Sequence, residues 1–359
     1  MSSVFAHRFV AAMLAASLLY GPPHAIATEQ TVRAGIPVAL LLPLQSPTFG
    51  KFAEFVRQGV LAAARSDARA NLAISVFSTT DDPNAALAAY ERALAQGARL
   101  VIGPLTRDSV ATIARRIQPG VPVLALNALE KNVPLPQSLY AFSLQVEMEA
   151  QQIARMVFAD GRRNALTVAD ASMQARRIHT AFEEEFVRLG GRVAAQFAYS
   201  ASTPDLAALR EAAGSGQFDA VFLMLDAPRA RLVRPYVDGP LQIYAISQVF
   251  DGPQERLRDA ELNGVRFLDM PWLLQPDHPA VMVYQRPEAP TASDSERLYA
   301  FGIDAYRIAA DLLGEGRIAR EPLDGVTGLI SMTRERYFMR ELTPAQYADG
   351  RPVPIVVRH

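Results

Sequence analysis

Catalysis near neutral pH needs histidines, thiols or carboxylates gathered in one place, and this sequence offers few such gatherings. Beyond residue 27 the histidines are His179, His278 and His359, far apart and without metal-ligand spacing. Cysteine is absent, which excludes a thiol nucleophile, a zinc–thiolate site and a disulfide framework. No stretch matches G-x-S-x-G, G-x-G-x-x-G or a phosphate-cradling loop. His179 falls on a helical pattern with a charged face, and His278 lies between Asp277 and Pro279 in a loop. Acidic runs such as Glu183-Glu184-Glu185 read as solvated charge on a helix rather than as a glycosidase pair. The expectation is a protein that is not an enzyme and uses no cofactor or metal.

Recognition is the better-founded chemistry. In open α/β sheets ligands gather at the carboxyl ends of strands, beside helix N-termini with free N–H groups. In the first half of the chain those positions hold Gln45, Ser46 and Thr48, then Pro104 and Thr106, then Asn127. In the second half they hold Asp170, Asp226 and Ser247, and Asp226 suits a ligand ammonium. Each residue also has a plainer reading as a turn or helix cap, Thr106 above all. No arginine stands out as a carboxylate clamp. The single tryptophan, Trp272, follows Pro271 at a strand end. It reads as packing or, where exposed at a hinge, as an anchor for a partner protein.

These loops need a scaffold, and the hydrophobic pattern describes one. Ile36–Leu42 is a continuous apolar run, as in a strand buried on both faces. Lys51–Ser66 places Phe52, Phe55, Val56, Gly59, Val60 and Ala63 on one helical stripe. Asp82-Pro83 reads as an N-cap followed by the first helical residue. Strand and helix alternate to Val121–Leu126, then restart after the loop Glu130–Ser138 and run to Val265–Leu268. Two successive units of this kind imply two parallel sheets with right-handed crossovers. Ser293–Leu313 is a long amphipathic helix, and Leu329–Met339 an extended hairpin-like stretch. The expected organisation is a signal peptide at 1–27, a first lobe of 28–140 plus about 283–320, and a second of 141–282 plus about 321–359.

Size and charge agree. The 359 residues, 50% apolar and 20% charged, suit two domains that each bury a core. A net charge of −1 implies no nucleic-acid partner. His7-Arg8, the apolar run Phe9–Tyr20 and the small-x-small end Ala25-Ile26-Ala27 make a signal peptide cleaved after Ala27. No other segment reaches the roughly 20 apolar residues of a spanning helix, so the mature chain is expected in the periplasm without a transmembrane segment.

Several stretches together resemble a known family. They are VALLLPLQSPTFGKFAEFVRQGVLAA at 38–63, GARLVIGPLTRDSVATIA at 97–114, PVLALN at 122–127 and DAVFLM at 219–224. LNGVRFLDMPWLL at 262–274 and RLYAFGIDAYRIA at 297–309 complete the set. The sequence is similar in these to the LppC/LpoA family of activators of class A penicillin-binding proteins, from about residue 36 to 350. The resemblance implies an α/β, type I periplasmic-binding-protein-like fold, two doubly wound Rossmann-like lobes around a cleft. It further implies control of peptidoglycan synthesis by contact with a class A penicillin-binding protein. The alternative is a periplasmic solute-binding protein holding an amino-acid-like or small polar ligand in the cleft. Familiar members carry a lipobox cysteine and an N-terminal helical repeat domain. Here Gly21 stands where that cysteine would fall, and the first strand follows the signal peptide directly, so no lipid anchor is expected.

Overall fold

The structure is a computed structural model that describes residues 35–355, apart from 68–70, 131–132, 201, 203–204, 238, 253–256 and 288–291. The signal-peptide reading of 1–27 and His359 lie outside the described residues.

The first half of the chain alternates as its pattern predicts: β1 (Ile36–Leu42), α1 (Gly50–Ser66), β2 (Leu72–Ser78), α2 (Pro83–Ala95), β3 (Leu100–Ile102), α3 (Arg107–Ala114), β4 (Val123–Ala125) and β5 (Leu139–Phe142). Central β1 pairs in parallel with β2 on one side and β3 on the other, which explains its unbroken apolar run. The outer strand β2 is half exposed along its length. Asp82 caps α2, its side chain accepting from the Asn84 amide, with Pro83 at the first helical position as expected.

The second unit follows: α4 (Val146–Ala159), β6 (Asn164–Ala169), α5 (Met173–Leu189), β7 (Arg192–Ala198), α6 (Leu206–Gly214), β8 (Ala220–Met224), α7 (Ala227–Val233), β9 (Gln242–Ala245) and β10 (Arg266–Asp269). Helix α5 ends at Gly190, whose φ of 102° is the left-handed region that glycine enters without strain. Two four-residue helices, α8 (Pro271–Leu274) and α9 (Pro279–Met282), lead to the long α10 (Ser293–Leu313). The chain closes with β11 (Leu323–Asp324), β12 (Leu329–Met332), β13 (Tyr337–Glu341), β14 (Thr343–Ala348) and β15 (Arg351–Pro354).

Two mixed sheets result. The first has strand order β11-β12-β13-β5-β4-β3-β1-β2, and the second β15-β14-β10-β9-β8-β6-β7. The tail departs from the sequence reading, which assigned 321–359 to the second lobe. Strands β11 to β13 extend the first sheet, β13 running parallel to β5, and only β14 and β15 join the second. Periodicity marks a segment as extended but does not name its hydrogen-bond partner, and the switch occurs at the buried Leu342.

The chain thus passes between the sheets three times: from β5 to α4, from β10 to α10, and at Leu342. Helix α4 packs on α5, while α10 packs along α1 and β3 of the first unit. The α1–α10 contact is backbone-close. A methyl group on Gly59 would collide with the Tyr299 carbonyl, and one on Gly302 with the Val56 carbonyl. The glycines within FVRQG and AFGID are therefore the crossing point of two helices.

Candidate functional site

The carboxyl ends of β6, β8 and β9 open into a cavity of about 460 Å³, closed on one side by the first turn of α10. Ile178, Met224, Ile246 and Phe250 give it apolar walls. Its ionic groups are Asp170, Asp226, Asp251 and Asp294 with Arg229 and Arg297.

Most of these charges are committed to one another. Asp170 follows β6 and accepts from the Ser172 amide at 2.9 Å and from Arg229 Nη1 at 2.7 Å. Partial burial would raise its pKa, but the Ser172 hydrogen bonds and Arg229 outweigh that and hold it below its ordinary value. Asp226 follows β8 and caps α7, its Oδ1 accepting from the Arg229 amide at 3.1 Å. Asp251 accepts from Arg231 with both oxygens at 3.0 Å, and Arg231 also reaches the buried Asp259 at 2.6 Å.

Arg297 binds the α10 end of the cavity to the second sheet. Its Nε and Nη2 donate to the two oxygens of Asp269, at 3.1 and 2.6 Å. Nη2 also reaches the carbonyls of Ser247 and Phe250, and Nη1 reaches Asp294 at 2.7 Å. Burial opposes the charge, yet Asp269 beside it holds the guanidinium above its ordinary pKa. Arg297 and Arg231 do clamp carboxylates, but the ones they hold are the protein's own.

Ser247 ends β9 on the other face of this junction. Its amide and hydroxyl donate to Glu149 of α4 at 2.6 and 3.0 Å. Burial pushes the Glu149 carboxyl up to about 7, with Asp269 adding to the rise and the Ser247 bonds opposing it. Nearby Arg340 is buried with its Nε unpartnered, and burial pulls it down to about 10.

Of the nine cleft residues named from sequence, Asp170 and Asp226 line the cavity. Ser247 lies behind it, spent on Glu149. The six from the first unit sit elsewhere, and three of them are occupied locally. Ser46 Oγ accepts from the amides of Thr48 and Phe49 at 3.1 and 2.7 Å, so it shapes the loop before α1. Asn127 donates to the Leu105 carbonyl and accepts from the Ala128 amide. Thr106 stands at the N-cap of α3, but its hydroxyl donates to Ser109 Oγ at 2.7 Å rather than capping a backbone amide. Gln45 and Thr48 are exposed and Pro104 is buried.

Trp272 is 0% exposed, so it is no surface anchor. Its Nε1 donates to Glu296 at 3.0 Å, Arg286 lies 3.9 Å over its ring, and Tyr299 packs 5.5 Å away. Helix α8 starts at Pro271 and turns the indole inward under α10, which is why a tryptophan just past a strand end carries packing here. The cavity residues missed from sequence, Asp251, Ser293 and Asp294 among them, come from loops, from the first turns of α5 and from the start of α10. That helix was placed correctly, but periodicity does not say that its N-terminus abuts the second sheet.

A family model described as LppC putative lipoprotein matches residues 23–211 and 207–350. The chain is 27% identical over 349 residues to the penicillin-binding protein activator LpoA of Photobacterium profundum, covering 87% of this chain and 56% of that protein. It spans about half the length of the curated relatives it matches. A solved structure of a putative branched-chain amino acid ABC transporter from Chromobacterium violaceum is 39% identical, with a TM-score of 0.76, covering 87% of this chain and 100% of that one. The C-domain of LpoA from Haemophilus influenzae, described as a regulator of PBP1A, superposes with a TM-score of 0.73 at 24% identity, over 89% of this chain and 100% of that domain.

Proposed function

The chain belongs to the LppC family, and from that premise we propose that it activates a class A penicillin-binding protein by direct contact, so regulating peptidoglycan synthesis in the periplasm. The observation that supports this most is the match to a curated penicillin-binding protein activator over 87% of the chain. The superposition on an entire LpoA C-domain adds that the matching part is a complete two-sheet unit.

A regulatory rather than catalytic role is consistent with the ionic groups. Asp170, Asp251 and Asp294 are each tied to an arginine, and Asp226 caps a helix. A general acid or base needs a proton-transfer group poised toward substrate, and these carboxylates are engaged in holding loops. An exported protein also accords with the described residues, among which no helix is long and apolar enough to cross a membrane.

The test is reconstitution. The full chain, added to a purified class A synthase, is expected to raise the rate of glycan polymerisation or crosslinking and to bind the synthase saturably. The chain alone is expected to leave lipid-linked precursor unchanged. A synthase rate that does not respond, with no binding by surface plasmon resonance, refutes the reading.

A further inference from the structure

We propose that the cavity at the carboxyl ends of β6, β8 and β9 binds a small molecule carrying a protonated amine or guanidinium on a short aliphatic stem. This goes beyond synthase activation and does not depend on it, because it is read from the cavity walls alone.

The volume of about 460 Å³ is that of a small-ligand site. Polar groups converge on it from four separate elements: Asp170 after β6, Asp226 after β8, Gln248 and Asp251 after β9, and Ser293 and Asp294 at the start of α10. Charge sets the class of ligand. Four aspartates face two arginines, which leaves the walls two negative charges in excess. Both arginines already donate to carboxylates of the protein, so neither is held in reserve for an anion. Acceptors do remain. Among the described residues, the hydrogen bonds made by Asp226 and Asp294 engage only one oxygen of each.

A second observation points to an occupant. Ser293 lines the cavity and is 3% exposed, yet its Oγ has no hydrogen-bond partner among the described residues. A buried hydroxyl left unpaired keeps its desolvation cost, so a polar group beside it would satisfy an existing need. Helix α10 opens at Ala292 without a side-chain cap, and Asp294 and Glu296 in its first turn offset the positive end of its dipole. The apolar walls from Ile178, Met224, Ile246 and Phe250 supply contact for methylenes.

The experiment is titration calorimetry of the full chain with cadaverine and agmatine, beside glutarate and leucine as anionic and zwitterionic controls of similar size. Both amines are expected to bind saturably and to raise the melting temperature. Asp226→Asn removes the charge but keeps an equally good helix cap, so the fold survives. It is expected to weaken amine binding about tenfold. Ser293→Ala is expected to weaken it severalfold, with circular dichroism confirming that both variants are folded. Absence of amine binding, equal binding of glutarate or leucine, or an affinity unchanged in Asp226→Asn each overturns the proposal.

Discussion

Replacing Arg297 with alanine should be among the most damaging single changes in this protein, and the structure gives the reason in detail. Asp269 is 1% exposed, and both of its oxygens accept from Arg297. Truncating the arginine leaves a carboxylate uncompensated where water does not reach it, and strips the Ser247 and Phe250 carbonyls of a donor. Removing one partner of a buried pair costs about 3–5 kcal/mol. For a chain of this size that is a fall in melting temperature of about 4–7 °C. The pair as such need not be strongly stabilising, because its desolvation cost offsets much of its attraction. The double variant Asp269→Asn with Arg297→Met should therefore be more stable than the two single losses added together. Chemical denaturation of the four proteins measures this coupling, expected at about 2 kcal/mol or more. Losses that simply add would refute the picture of one ion pair fastening α10 to the second sheet.

Glu149 should make stability pH-dependent. Its carboxyl is raised from 4.5 to about 7 in the fold, so the folded state holds a proton that the unfolded chain gives up between those values. Its contribution is fully present below about pH 4.5 and lost as pH rises through about 7. Urea melts of Glu149→Gln should lack that dependence, and an unchanged pH profile would count against it. At the α1–α10 crossing, Gly302→Ala gains helix propensity of about 1 kcal/mol but drives a methyl into the Val56 carbonyl. A net loss of about 2 kcal/mol or more is expected by thermal melting, because overpacking against backbone is not relieved by a rotamer change. The buried indole of Trp272 should emit at short wavelength and resist iodide quenching. Trp272→Ala should lower stability by about 3–5 kcal/mol, so any loss of synthase binding would track unfolding rather than a lost contact.

The repeated strand-helix units were legible because each element carries its own signal. The β1 run IPVALLL, the Asp82-Pro83 start of α2 and the Gly190-Gly191 end of α5 all appear where their chemistry predicts. Strand β5 was not read, since four residues, LYAF, are too few to establish a period. The tail was misassigned for a different reason. Strands β13 and β14 are separated by Leu342 alone yet belong to different sheets, and partner choice is a tertiary property. The site was half legible on the same grounds. Strand-end topology led to Asp170 and Asp226, but the equivalent loops of the first unit satisfy themselves, as Ser46 and Asn127 do, and so present little to a ligand.

Two of the stretches that carry the family resemblance, LNGVRFLDMPWLL and RLYAFGIDAYRIA, meet in space. Asp269 of the first accepts from Arg297 of the second, and Trp272 packs on Tyr299. Gly302 then fixes α10 on α1, while Asp304 accepts from the amides of Val326 and Thr327 in the loop before β12. These contacts lie within the protein. They fasten one helix to both sheets, with its first turn forming a wall of the cavity. From Ser293 to Gly302 is about 13 Å of continuous helix. A group bound against Ser293 or Asp294 would thus press on the element whose seating the Arg297 and Gly302 contacts hold. The motifs describe how the two sheets are joined, and the cavity lies at that joint.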